Sequence, residues 1–188
     1  MSRVPCIWTA LVAALLLAHL ANGRPVQSPA RPELSGTWLL DQKKSSGAGL
    51  TRRPDLPLKI SYHDPEFRIA LSSEADGKIV ERVLVYFTDG RGETNPAITG
   101  LTTNPSVKPD ELKGQTTKST TRWSRDKIVI RSILRLNAGG HIVEFEQIDE
   151  WKLSVDSKSL IQTTRTVPVT EGPIFVMAAD KKRVYNRV

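Results

Sequence analysis

Apolar and polar residues alternate along most of this chain with a period of two. Ile128, Ile130, Ser132 and Leu134 fall on one side of an extended segment, with Val129, Arg131, Ile133 and Arg135 on the other. Val143, Phe145 and Gln147 oppose Ile142, Glu144 and Glu146 in the same way, and Leu58-Ile60-Tyr62 and Phe67-Ile69-Leu71 keep the same spacing. Successive side chains of a pleated strand point to opposite faces, so this pattern is what a sheet with one buried face requires. Turn residues separate the runs: His63-Asp64-Pro65, Asp76-Gly77, Asp89-Gly90 and Ala138-Gly139-Gly140, with Ser124-Arg125-Asp126 and Asp156-Ser157-Lys158 as polar connectors of hairpin length. Strands are therefore predicted near 34–40, 56–62, 66–73, 78–88, 115–123, 127–136, 141–151, 159–167 and 182–187, with a further short piece around 173–178.

Short strands joined by tight turns favour antiparallel neighbours, and no segment reads as a crossover helix. An all-β fold follows. Closing an up-and-down sheet of about 8–10 strands into a single antiparallel barrel removes its exposed edges. A two-sheet β-sandwich is the alternative, and sequential hairpins without a long return connection favour the barrel. Two stretches are irregular. Residues 41–55 are rich in Gly, Ser, Lys and Arg and suit a short helix or a flap. Residues 91–114 carry Pro96, Pro105 and Pro109 and read as a long surface excursion, with one helical turn expected at Asp110-Glu111-Leu112.

The N-terminus reads as an export signal. Arg3 precedes an apolar run from Ile7 to Ala18, shorter than the roughly 20 residues a spanning helix needs. Ala21-Asn22-Gly23 supplies small residues for cleavage after Gly23. The expected organisation is a signal peptide over 1–23, a proline-rich tether over 24–33 and one barrel domain over 34–188, with no membrane span after cleavage. The expected location is the periplasm or the extracellular medium. Cleavage removes Cys6, the only cysteine, so the mature chain has no disulfide and no thiol chemistry. It also removes Arg3 and no acidic residue, taking the net charge from +7 to +6. The basic residues are interspersed with acidic ones and read as a solvated surface.

Catalytic chemistry has little material. Of three histidines His19 leaves with the signal, and His63 and His141 sit at turns that favour exposure. No metal-ligand spacing, Gly-x-Ser-x-Gly elbow or phosphate loop is present; Gly47-Ala48-Gly49 lacks the surrounding strand–helix unit. Glu144 and Glu146 share a strand face about 7 Å apart, a separation that suits paired acid/base groups. Val143 and Phe145 occupy the opposite face, so the glutamates are expected to face water opposite Arg131 and Arg135. No catalytic residue, metal or cofactor is assigned. Trp123 lies between Arg122 and Arg125, which is thin material for a nucleic-acid stacking platform, and no nucleic-acid partner is expected.

Tyr86, Trp123, Phe145 and Trp151 fall on or at the ends of predicted strands. Such residues line an apolar ligand pocket or fill a barrel, and they are the ligand-binding candidates.

Leu34-Ser35-Gly36-Thr37-Trp38-Leu39-Leu40-Asp41, 87–95 (Phe87-Thr88-Asp89-Gly90 onward), Arg122-Trp123-Ser124-Arg125-Asp126-Lys127 and Glu150-Trp151-Lys152-Leu153 onward occur in order along the chain. Together they resemble a lipocalin-like group of small exported bacterial β-barrel proteins. The Gly-Thr-Trp start resembles the opening of lipocalin-type barrels, in which a late basic residue packs over the tryptophan. The resemblance implies barrel closure by Gly36, Trp38 and a basic residue of the final strand, with Arg183 assigned and Arg187 the other candidate. It brings no catalytic set.

The expected function is non-catalytic binding of a small apolar or amphipathic molecule. The alternatives are an envelope or extracellular protein-interaction module using the 41–55 and 91–114 loops, and an enzyme on the same fold, which would need convergent polar groups inside the barrel. The sequence does not set the oligomeric state.

Overall fold

The computed structural model describes residues 31–47, 55–75, 78–97, 116–138, 141–169 and 180–188. Among them there is no helix and there are ten strands: β1 (Gly36–Leu40), β2 (Leu58–His63), β3 (Glu66–Ala75), β4 (Lys78–Phe87), β5 (Glu93–Pro96), β6 (Thr116–Ser124), β7 (Lys127–Ala138), β8 (His141–Leu153), β9 (Ser159–Pro168) and β10 (Lys181–Arg187). They form one antiparallel sheet in the order β4-β3-β2-β1-β10-β9-β8-β7-β6-β5. The chain's first and last strands pair, Trp38 with Arg187 and Leu40 with Tyr185. An up-and-down barrel results, with β4 and β5 as its two edges.

Those edges meet through side chains. Asn95, buried in β5, accepts from the Val85 amide (2.8 Å) and donates to the Val85 carbonyl (2.8 Å), so one amide side chain stands in for a rung of backbone ladder. Glu93 accepts from the Phe87 amide at 3.3 Å. The barrel is therefore nearly closed.

Because neighbours are antiparallel, connections alternate between two ends. The floor carries the tight turns: Asp64-Pro65, 88–92, Arg125-Asp126 and 154–158. At the other end, the mouth, lie the strand ends Leu40, Leu58, Ala75, Lys78, Pro96, Thr116, Ala138, His141, Pro168 and Lys181. Trp38 plugs the floor, fully buried beside Leu34, and its indole N–H donates to the Leu34 carbonyl at 3.2 Å. Gly36 has φ +149°, a conformation that side-chain-bearing residues rarely adopt, and the chain enters β1 through it. The Arg187 guanidinium lies 4.5 Å from the Trp38 ring centre. A chain of aromatic contacts also crosses the floor: Trp123–Tyr62 (5.6 Å), Tyr62–Phe67 (6.4 Å), Phe67–Trp151 (6.2 Å) and Trp151–Tyr185 (6.3 Å). Edge-to-face and stacked pairs of this kind add to the area they bury.

The predicted strands are all present among the described residues, with ends moved by a few positions. The stretch 91–114 differs from expectation. Glu93–Pro96 is a strand, not part of an irregular excursion. Four residues are too few to display alternation, and Pro96 is tolerated because β5 is an edge. In 41–55, residues 42–44 form a turn whose amides at Lys43 and Lys44 donate to Asp41 Oδ1, and Ser46 then bridges to Lys182. The flap at 48–54, the turn at 110–112 and the piece at 173–178 lie outside the described residues.

Asn95→Ala should destabilise the barrel by about 1–3 kcal/mol, since both Val85 backbone groups lose their partner. Thermal unfolding measures the loss, and the Val85 amide should exchange faster with deuterium. An unchanged exchange rate at Val85 would remove Asn95 from the seam.

Candidate functional site

The interior is lined differently on its two sides. On β2, β3 and β4 the inward row is Leu58, Ile60, Tyr62, Phe67, Ile69, Leu71, Leu84 and Tyr86, each buried or packed against the core. On β5 to β10 the inward rows are mixed: Asn95, Ser119, Thr121, Ser132, Gln147, Asp149, Gln162, Thr164 and Arg183 stand among Ile128, Ile130, Phe145, Trp151, Leu160 and Tyr185, all buried.

Register explains how the polar side assembles. Asp149 pairs with Thr164 across β8–β9, and Gln162 pairs with Trp151 on one side and Arg183 on the other. Asp149 Oδ1 accepts from the Thr164 hydroxyl and from Gln162 Nε2 (3.1 Å), and its Oδ2 accepts from Gln147 Nε2 at 2.6 Å. Gln162 Oε1 in turn accepts from Arg183 Nη1 (3.4 Å) and the Tyr185 hydroxyl (3.3 Å). At the seam Glu93 Oε1 accepts from Ser119 (2.7 Å) and Thr121 (2.8 Å). These bonds matter because a buried polar group without a partner costs folding energy.

Burial pushes the Asp149 carboxyl above the ordinary carboxylate range, against the opposing pull of its three donors and of Arg183. The Tyr86 phenol is pushed upward by burial and by the charges of Asp149 and Glu93. Lys181 moves the other way. Its ammonium is pushed down first by burial and then by Arg183, with Asp149 opposing.

Three of the candidate ligand residues, Tyr86, Trp123 and Trp151, belong to the aromatic packing of the floor or adjoin it through Phe67 and Tyr62. Trp123 is half-buried and donates to the Tyr62 hydroxyl at 2.7 Å, so it is packed and not a free stacking platform. Phe145 is buried but stands outside that cluster, paired with Leu134 and Pro168 on the mouth side of the polar row. Gly36 and Trp38 are at the closed floor. Arg183 is not the cation over Trp38; that residue is Arg187. Register decides it, because Trp38 pairs with Arg187, which leaves Arg183 four residues earlier on β10, inside the barrel.

Glu144 and Glu146 face outward, paired with Arg135 (2.6 Å) and Arg131 (2.9 Å). His63 is exposed beside Ser61. Among the described residues no group of His, Cys, Asp and Glu could hold a metal ion, and no helix is long and apolar enough to cross a membrane. An open groove of about 450 Å³ on the outer wall is lined by Arg122, Lys127, Arg131 and Glu150 among others, but Lys127 and Arg131 already pair with Glu150 and Glu146.

Sequence reasoning missed Asp149, Gln162, Thr164, Glu93 and Asn95. A usable signal existed for the first three: Asp149 shares the two-residue row of Phe145, Gln147 and Trp151, and Gln162 and Thr164 share that of Leu160. Polar residues on a core row are the informative ones.

Comparison with protein-family models, with curated proteins and with solved structures finds no match to the chain. The class is thus defined by architecture: an all-β, up-and-down antiparallel barrel of ten strands with a plugged floor and a partly polar interior.

The raised Asp149 carboxyl means that the folded state holds this proton more tightly than the unfolded chain. Its contribution to stability is therefore fully present below an unfolded pKa of about 3.9 and is lost as pH rises through the raised native value. Asp149→Asn cannot ionise, so its melting temperature relative to the parent should shift in the variant's favour between pH 4 and pH 8. A shift in the opposite direction would mean that Arg183 and the three donors outweigh burial.

Proposed function

We propose that this chain is an exported, lipocalin-like barrel that binds a small amphipathic molecule in its interior and performs no reaction on it. The observation that carries this reading is the buried polar set of the interior. The inward rows of β2–β4 are apolar, and those of β5–β10 carry Asp149, Arg183, Gln147 and Gln162 among apolar residues. A barrel filled only for stability gains nothing from burying Asp149, Arg183 and two glutamines, since apolar side chains of similar volume hold a core at least as well. A ligand with one apolar and one polar side finds both surfaces in place, the first for shielding and the second for orientation.

The mechanism is passive. The Trp38 floor closes one end, and ligand enters from the other. Asp149 is held by three donors and Glu93 by two hydroxyls and an amide, so both carboxylates are committed to structure. Glu144 and Glu146 stand outside, so they are not an acid/base pair of the interior.

A second reading has one observation in its favour. Ile79 and Val83, on the outward row of edge strand β4, are 59% and 43% exposed. Exposed apolar residues beside a strand edge suit a protein partner.

Native mass spectrometry of the exported protein purified without detergent separates these readings. A reproducible added mass that disappears on denaturation is the expected result, with a denatured mass matching cleavage after Gly23. A native mass that stays bare after incubation with lipid and small-metabolite extracts would move the assignment to the interaction module.

A further inference from the structure

The registers of the sheet gather on one outer wall a charge that the chain order disperses. The outward rows of β6 and β7 carry Lys118, Arg122, Lys127, Arg131 and Arg135, and those of β8, β9 and β10 carry Lys152, Arg165 and Lys182. Among the described residues the carboxylates of this wall are Glu144, Glu146 and Glu150, with Asp180 just ahead of β10. Eight cations thus stand against four anions. The floor turns add one of each sign, Arg125 with Asp126 and Lys158 with Asp156. On the outward rows of β2 to β4 the balance is reversed, Lys59 and Arg68 against Glu66, Glu74 and Glu81, with Lys78 and Arg82 on the other row of β4.

Glu150 sits amid the basic wall and is shared by Lys127 (2.8 Å) and Arg165 (3.3 Å), while Glu146 and Glu144 are taken by Arg131 and Arg135. Among the described residues Arg122, Lys152 and Lys182 make no ion pair. Lys127 and Lys152 stand directly opposite each other across β7–β8, an arrangement of like charges that destabilises a sheet. The Arg122 guanidinium lies over Gly90, where any side chain would run into it. Arg131 and Arg165 flank Ile148, which is 7% exposed although it stands on an outward row, the burial expected where arginine stems cover an apolar neighbour. Between these side chains runs the open groove of about 450 Å³, with the Thr120 and Ser124 hydroxyls beside Arg122, Lys127 and Arg131.

We propose that this outer wall docks a linear acidic polysaccharide, with one carboxylate in the groove at Arg122 and Lys127 and the following units crossing β8 toward Lys152 and Lys182. This site is separate from the barrel interior. Charge complementarity supplies the attraction, and the groove hydroxyls suit the hydroxyls of a sugar as hydrogen-bond partners. Two other polyanions fit less well. Single-stranded nucleic acid needs exposed aromatic faces for its bases, and Trp123 at the groove is half-buried with its indole N–H given to Tyr62. An anionic bilayer takes apolar residues into its headgroup layer beside the cations. Here the exposed Ile133 and Val167 flank Glu146 in register, so insertion would carry that carboxylate and Arg131 with them.

Calorimetric titration of the whole exported protein compares a polygalacturonate oligomer, a neutral maltooligosaccharide of the same length and an oligothymidylate of the same charge, and co-sedimentation adds phosphatidylglycerol vesicles. Polygalacturonate should bind about tenfold or more tighter than the neutral sugar and the oligothymidylate. Raising salt from about 0.05 M to about 0.2 M should weaken it by about tenfold. Arg122→Gln and Lys152→Gln should each weaken it about three- to fivefold, and Lys59→Gln, on the opposite wall, should leave it unchanged. Lys152→Gln also relieves the opposition to Lys127, so its melting temperature should not fall and the lost affinity is not lost folding.

Polygalacturonate binding no tighter than the neutral sugar, or unaffected by Arg122→Gln and Lys152→Gln together, overturns the proposal. Oligothymidylate binding as tightly as polygalacturonate overturns it in favour of a phosphate chain. Sedimentation with vesicles in the absence of polygalacturonate binding overturns it in favour of a membrane surface.

Discussion

Backbone pairing of Trp38 with Arg187 and of Leu40 with Tyr185 joins the first strand to the last, and the interior exists because of that join. A run of hairpins on its own is an open sheet with two exposed edges and one wet face. Bringing β10 beside β1 sets Arg187 over Trp38, seals the floor and turns the inward rows toward one another. The opposite seam is built from a different material. β5 is too short to continue the ladder along β4, and the Asn95 amide replaces the missing backbone rung. One seam is thus a ladder and the other a pair of side chains, Asn95 and Glu93.

The same closure creates the energetic tension of the molecule. It carries Asp149 and Arg183 out of water, at a cost that burial alone does not return. Gln147, Gln162 and Thr164 offset part of the cost by satisfying the carboxylate. The apolar wall of β2–β4 and the aromatic floor provide the stabilisation that carries the polar groups. The buried polar groups, which stability does not need, are the ground on which interior binding is proposed. The outer wall shows the opposite economy, with Arg135–Glu144, Arg131–Glu146 and Lys127–Glu150 exposed or half-exposed and each worth little.

Much of the fold was legible in the residues. Alternation in 128–135 and 142–147 located β7 and β8 and told which face of each was buried, and it sent Glu144 and Glu146 outward before any pairing was known. Two-residue turns such as Arg125-Asp126 located the hairpins, with Arg125 at φ 59° in the left-handed region. β5 was not legible because a four-residue edge strand ending in proline has no period to detect. Arg183 and Arg187 share one strand row, so nothing local to β10 tells which of them covers Trp38; only the register between β1 and β10 does.

Sequence alone determined the strand class, the hairpin order and the inward row of most strands, because a period of two and the conformational needs of turns are local properties. It also placed an aromatic at nearly every point where the floor later packs. Tertiary structure decided which rows face each other. Asp149, Gln162 and Arg183 are far apart in the chain and meet only through the registers of β8, β9 and β10. Shared hydrogen bonds and the downward push on Lys181 follow from that meeting. Local pattern fixes which way a side chain points, whereas its partners are set by closure of the whole sheet, which no single segment encodes.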